Sequence, residues 1–218
     1  MPEGLEIYIL SKAFQDLGIQ AEAYGKHLFL IDPYTGEKYD YTFGLAGKLH
    51  ISEKNLSITK INHSTLVSGS KELVSTSFQE KKEKLGLHWI TASKEDICTI
   101  VNSWVKRKRQ IGALLIDQKE ICGIGVTWAS EILFHAGVSP LLKSNLLDCL
   151  NLLEKLIESI CSVRDKILPI YVQAIPQNSK KFINEWFDNL YSIRTPYLQV
   201  YKKGQVVRVS GREFWVPN

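Results

Sequence analysis

Two hydrophobic periods divide this chain, and the change between them near residue 80 limits the folds open to it. Ile7, Leu10, Phe14 and Leu17 recur at helical spacing, and Gly18 stands where a helix would stop, which predicts one amphipathic helix near the start. From Ala21 to about Val74 the apolar residues fall instead into short β-like runs, at 27–31, 39–43, 48–51, 57–61, 66–67 and 72–74, with turns at 32–37 and at a Ser-Gly-Ser. Residues 80–84 are all charged and read as a linker. Beyond them the period becomes helical. Ser93 with Asp96 forms an approximate capping box for a helix through Trp104, and further helices are expected at 113–118, 126–136, 145–162 and from 163 to about 175. The last twenty residues return to β at 198–201, 205–209 and 212–216, with a Lys-Lys-Gly turn and Ser210-Gly211 between them. Elements segregated in this way predict the α+β class. The expected organisation is a β domain with a leading helix at 1–79, a linker at 80–92, a helical domain at 93–197 and a hairpin at 198–218.

Composition narrows the setting. The 218 residues are 44% hydrophobic and 23% charged, enough for an ordinary core without staples. No apolar run approaches the ~18 residues of a membrane span, and an acidic start without an apolar signal core predicts an intracellular protein. Cys98, Cys122, Cys149 and Cys161 are widely spaced, with no C-x-x-C pair, so no metal site and no cofactor are expected. The net charge is +4, but its distribution carries more information. Lys106, Arg107, Lys108 and Arg109 form one basic run, and Lys180-Lys181, Lys202-Lys203, Arg208 and Arg212 follow in the same half. Such clusters are commonly solvated faces; four of them in one half favour a polyanionic partner, nucleic acid above all.

Two segments carry chemistry. Removal of Met1 would leave Pro2 with a free secondary amine, a nucleophile able to attack an aldehyde or a sugar C1′ and form an iminium. Glu3 places a carboxylate beside it for proton transfer. The plainer reading is that Pro2 permits Met1 removal and starts a helix. In residues 114–134 a helix, a tight turn holding Gly123 and Gly125, and a second helix follow one another. The glycines would let a ligand approach the backbone, and the second helix start would offer N–H groups to an anion; an ordinary interhelical turn would look the same.

The second segment resembles the helix–two-turn–helix motif of the formamidopyrimidine-DNA glycosylase and endonuclease VIII family. Residues 115–118 resemble its L-L-D-Q, and residues 123–134 its G-I-G-N-x-Y-A-x-E-x-L-F. The start, Pro2-Glu3 with Glu6, is similar to P-E-x-P-E; residues 25–30 resemble G-K-x-L-x-L, residues 44–49 G-M-x-G-x-L, and residues 200–204 V-Y-x-x-x-G. The matches are collinear from residue 2 to residue 212. The resemblance implies a DNA-repair glycosylase and abasic-site lyase in which Pro2 attacks C1′, Glu3 is the acid/base, Glu6 supports them and Lys26 touches the phosphate beside the lesion. It implies base flipping, with Leu45 filling the vacated space, and phosphate binding by Lys106, Arg107, Lys108, Arg109, Lys119, Gly123, Gly125, Lys202, Arg208 and Arg212. The partner would be damaged DNA, bound by a monomer with no membrane attachment.

Departures from the pattern shape these expectations. Val126 replaces the family asparagine, Gly112 a lysine, Leu5 a proline and Thr42 a histidine. No wedge loop matches near residues 75–86, and roughly half the strands expected before Lys26 are missing. Val207 and Ser210 stand at the first cysteine pair of the C-terminal finger, which predicts a zincless hairpin held by strand pairing and by Phe214 and Trp215. Abasic, single-stranded or distorted DNA is the expected substrate. A non-catalytic DNA-binding protein of the same fold is the alternative, and an RNA or ribosome partner a remote third.

Overall fold

The computed structural model describes residues 2–43, 47–51, 58–62, 71–73, 78–175 and 179–218. Leu45, the expected strand at 66–67 and the Ser-Gly-Ser turn lie outside them. The chain divides into two compact units, residues 1–84 with 169–196, and residues 85–168 with 197–218. The division thus falls inside the segment 93–197 and groups the terminal hairpin with the helices before it.

In the first unit α1 (Gly4–Asp16) buries Leu5, Ile9, Leu10, Ala13 and Phe14 and ends before Gly18, whose φ of +74° is one that glycine adopts without strain. It packs on β1 (Ala21–Tyr24) and β2 (His27–Ile31). With β3 (Lys38–Tyr41) and β6 (Lys71–Leu73) these form an antiparallel sheet in the order β1-β2-β3-β6. A separate pair joins β4 (Gly47–Ile51) to β5 (Ile58–Asn62). Residues 80–84, expected as linker, overlap a short helix α2 (Phe78–Lys82). Its charges have partners on the sheet: Lys81 pairs with Asp40 at 3.1 Å, and Lys82 with Glu22. The late helix α7 (Ser179–Arg194) packs on α1 and β4. There Asn184 Oδ1 accepts the Ile51 N–H at 2.8 Å, and Trp186 meets Phe43 edge-on.

The second unit is helical. β7 (Leu87–His88) pairs in parallel with β8 (Ile121–Cys122), and Gly86 precedes it where any Cβ would lie 2.4 Å from the Glu120 carbonyl oxygen. Ser93 caps α3 (Lys94–Val105) through the capping box with Asp96. α4 (Ile111–Leu115) stops earlier than the expected residue 118, because the Asp117 carbonyl turns to accept Glu120 and Ile121 N–H groups. α5 spans Val126–Ala136 as expected and ends on Gly137 in the left-handed region. The helices expected at 145–162 and 163–175 are one helix, α6 (Leu153–Gln173), preceded by a 3-10 turn at Ser144–Leu146. Its residues from Pro169 onward belong with the first unit. Trp89, Trp104, Trp128, Leu114, Ile132, Ile160 and Phe214 are buried in the second. The hairpin consists of β9 (Gln205–Val209) and β10 (Arg212–Val216), closed by Ser210 and Gly211 at φ +49° and +75°, the type I′ signature. Residues 198–201, expected as a strand, are not one; their N–H groups serve another purpose, described below.

Candidate functional site

The N-terminal site begins one residue before the helix. Glu3 is the N-cap of α1, extended at φ −119°, so Pro2 precedes the cap rather than occupying the first helical position. Both are buried. The Glu3 N–H donates to Glu6 Oε2 at 2.8 Å, the return arm of a capping box. Glu6 is 0% exposed. Its Oε1 accepts the Tyr171 hydroxyl at 2.9 Å and lies 3.5 Å from the Arg194 guanidinium, which is itself buried. Burial pushes the Glu6 carboxyl up, against the opposing pull of Arg194; burial, then Glu6, pushes the Tyr171 phenol well above its ordinary range, so it remains a donor. The sequence singles out Glu3 and Glu6, and the fold brings them into contact. Tyr171 and Arg194 carry no local signal, since they arrive from α6 and α7. Lys26 lies in the β1–β2 turn after Gly25 (φ +59°), on strands against which α1 packs.

A second charged cluster sits on the sheet of the same unit. Asp40 is 3% exposed and lies 2.9 Å from His27 Nδ1 and 3.1 Å from Lys81. Burial would raise its carboxyl, but the hydrogen bonds and charges of His27 and Lys81 outweigh it and hold the group below its ordinary value.

The turn of the helical unit is built by Gln118. Its Nε2 donates to the Ile116 and Ile124 carbonyls, each at 2.9 Å, and its Oε1 accepts the Gly123 N–H at 3.0 Å. Gly123 has φ +100°, where a side chain would be strained. Gly125, the N-cap of α5, is extended at φ −120° and needs no glycine for its backbone angles. The basic run beside this turn is partly neutralised from within. Arg107 pairs with Glu120, and Arg109 with Asp117 at 3.0 Å. Ser144 holds the run's backbone, accepting nothing from it but donating its N–H to the Arg109 carbonyl at 2.8 Å and its hydroxyl to that of Arg107. Lys106, Lys108 and Lys119 are exposed.

The hairpin is anchored to α5. Glu131, 2% exposed, accepts the N–H groups of Gln199, Val200 and Tyr201 at 2.8, 3.0 and 2.9 Å. This is why residues 198–201 do not pair as a strand. Next to it, Ser130 Oγ accepts the Trp215 N–H at 3.0 Å. Phe214 is fully buried. Gly112, where the sequence suggests a lost lysine, is also buried, and a Cβ there would lie 3.1 Å from Phe214 and from Pro140. Gly204 lies so close to β10 that a Cβ would sit 1.9 Å from the Val216 carbonyl oxygen. On the outer surface Arg208 pairs with its cross-strand neighbour Glu213 at 3.0 Å, Arg212 is exposed, and Lys202 lies 5.9 Å from the Tyr201 ring. Residues 205–216 include neither cysteine nor histidine, and among the described residues no group of three His, Cys, Asp or Glu could hold a metal. Among the described residues, too, no helix is long and apolar enough to cross a membrane. A cavity of about 680 Å³ lies elsewhere in the helical unit, lined by Lys94, His135, Lys155, Cys161 and Lys166 among others, and holds none of the residues expected to act on or bind DNA.

Residues 90–173 match the model of the formamidopyrimidine-DNA glycosylase H2TH domain. No curated protein matches the chain in sequence. Among solved structures, the MutM (Fpg) protein of Thermus thermophilus is 16% identical, with a TM-score of 0.74 over 98% of this chain and 96% of that one. The wild-type Lactococcus lactis Fpg, in complex with DNA containing N7-benzyl-Fapy-dG, gives 16% and 0.69 over 98% and 97%. The same organism's formamidopyrimidine-DNA glycosylase, non-covalently bound to DNA with an AP site, gives 19% and 0.65 over 90% and 79%. The fold is shared across nearly the whole chain while the sequence has diverged far.

Proposed function

We propose that this chain, which has the fold of the formamidopyrimidine-DNA glycosylases, is a DNA-repair glycosylase and abasic-site lyase working through the amine of Pro2. The observation that carries the reading is the N-terminal box: Pro2 directly precedes Glu3, whose N–H is held by the buried Glu6 at 2.8 Å. With Met1 removed, the Pro2 lone pair attacks C1′ of an abasic aldehyde. The aldehyde oxygen leaves as water and an iminium remains. Loss of the C2′ proton then expels the 3′ phosphate, with Glu3 moving the protons. Lys26, the exposed Lys106, Lys108, Lys119 and Arg212, and the turn at Gly123 and Gly125 would hold phosphates in a sequence-independent, salt-sensitive manner. Arg107, Arg109 and Arg208 would have to exchange their internal carboxylates for phosphate. Without a matching wedge loop, opening a paired duplex is poorly compensated against a cost of a few kcal/mol, so abasic, single-stranded or distorted DNA is the preferred substrate of a monomeric enzyme.

The burial of Pro2 favours a second reading, a DNA-binding protein of this fold without excision. Borohydride trapping separates the two. An abasic oligonucleotide should give one covalent adduct, mapped to Pro2 and abolished when Met1 is retained. No adduct would leave the binding reading standing alone, and active protein whose mass includes Met1 would overturn the Pro2 mechanism.

A further inference from the structure

We propose that Arg194 and Tyr171 are positioning residues for the N-terminal nucleophile, holding the Glu6 carboxyl group in place so that it fixes the peptide joining Pro2 to Glu3. The proposal rests on the reading of Pro2 as the attacking amine. A fully buried carboxyl left alone would take up a proton. Here one oxygen has the Arg194 guanidinium at 3.5 Å and the Tyr171 hydroxyl at 2.9 Å, while the other is left to accept the Glu3 N–H at 2.8 Å. An ionised acceptor makes a hydrogen bond roughly twice as strong as a neutral one. The Glu3 nitrogen is bonded to the Pro2 carbonyl carbon, and the Pro2 nitrogen lies two bonds beyond it. Peptide planarity therefore carries the grip on that N–H to the residue that bears the amine. Misplacing a reacting atom by about 1 Å can cost on the order of 100-fold.

A purely structural role, docking α6 and α7 beside α1, would also explain the contacts. It differs in one respect: it does not depend on the charge of Glu6. The groups acting on that charge are Arg194, Glu3 and Tyr171. Without Arg194, burial and the neighbouring Glu3 carboxylate both favour the neutral acid, and only higher pH restores the anion.

The test uses the full chain with Met1 removed, in Arg194→Met, Arg194→Lys, Tyr171→Phe and Glu6→Gln forms. Borohydride trapping on an abasic oligonucleotide is followed against pH, beside DNA affinity and hydrogen exchange at the Glu3 amide. Arg194→Met should slow trapping at neutral pH by about 30- to 100-fold with affinity held within about twofold, and should recover as pH rises. Arg194→Lys should restore most of the rate, Tyr171→Phe should lose about three- to tenfold, and Glu6→Gln should be slow at every pH. Glu3 amide exchange should quicken in Arg194→Met and Glu6→Gln. Trapping that is unchanged in Arg194→Met, or slowed equally at all pH values without rescue by lysine, overturns the proposal. Should the unsubstituted protein form no adduct, the Pro2 reading fails. The Glu3 exchange then decides the positioning on its own, with an unchanged rate in Arg194→Met counting against it.

Discussion

Glu6 and Glu131 are both carboxylates sunk in a core, one in each unit, and they are satisfied in opposite ways. Glu6 takes a phenol and a guanidinium from distant helices, with a single backbone N–H on its other oxygen. Glu131 takes three consecutive backbone N–H groups from one loop. A carboxylate held by side chains depends on their charge, so its protonation can be altered by a single substitution elsewhere. One held by amides depends only on the path of the backbone. The first arrangement suits a site whose electrostatics matter; the second suits a fixed joint.

The largest effects should come from deleting the two acids. Glu6→Ala removes the buried carboxylate that faces the Arg194 guanidinium and accepts the Tyr171 hydroxyl, and should cost about 3–5 kcal/mol of unfolding free energy. Glu131→Ala strands three amides and should cost about 3 kcal/mol. Urea denaturation followed by tryptophan fluorescence measures both, and a larger loss at residue 131 would break the comparison. Next in size is Gly112→Lys, which introduces a cation where Phe214 and Pro140 leave no space. It should destabilise by about 1–3 kcal/mol and leave DNA affinity no tighter; tighter binding at unchanged stability would show that the glycine is not a packing requirement.

The pH dependence sharpens the contrast within the first unit. Glu6 has a folded value above its ordinary 4.5, so its contribution favours the fold below pH 4.5 and is lost as pH rises through the folded value. Asp40 lies below its ordinary 3.8, so it supports the fold above pH 3.8 and loses that support as pH falls through its lowered value. Stability curves of Glu6→Gln and Asp40→Asn should therefore depart from the parent with opposite slopes. The smallest effect belongs to the hairpin surface. Arg208 and Glu213 are both exposed, and Arg208→Ala should change stability by less than about 0.5 kcal/mol in the same urea measurement.

What was legible in the sequence follows the range of the interactions. The Ser93–Asp96 box, α5 and the Ser210-Gly211 turn depend on residues within a few positions of one another, and all three stand where the pattern puts them. The pairing of Glu3 with Glu6 is equally local. Tyr171 is 165 residues from Glu6, and neither it nor Arg194 is marked by spacing or composition. The charged run at 80–84 reads as a linker because the acids that receive Lys81 and Lys82, Asp40 and Glu22, belong to strands far earlier. Gly112 reads as a missing charge because its crowding by Phe214 comes from about a hundred residues downstream. Residues 198–201 have strand composition, yet the carboxylate of Glu131 outcompetes a partner strand for their amides.

That capture of the 199–201 amides has a kinetic side. A two-stranded hairpin with five residues per strand is marginal alone in water, and here its approach segment and its Trp215 amide both depend on side chains of α5. The partners lie 68 to 85 residues apart, contacts that incur their loop-closure entropy before they return any stabilisation. The C-terminal hairpin is therefore expected to form after α5, and hydrogen exchange should find its amides less protected than those of the helix behind it.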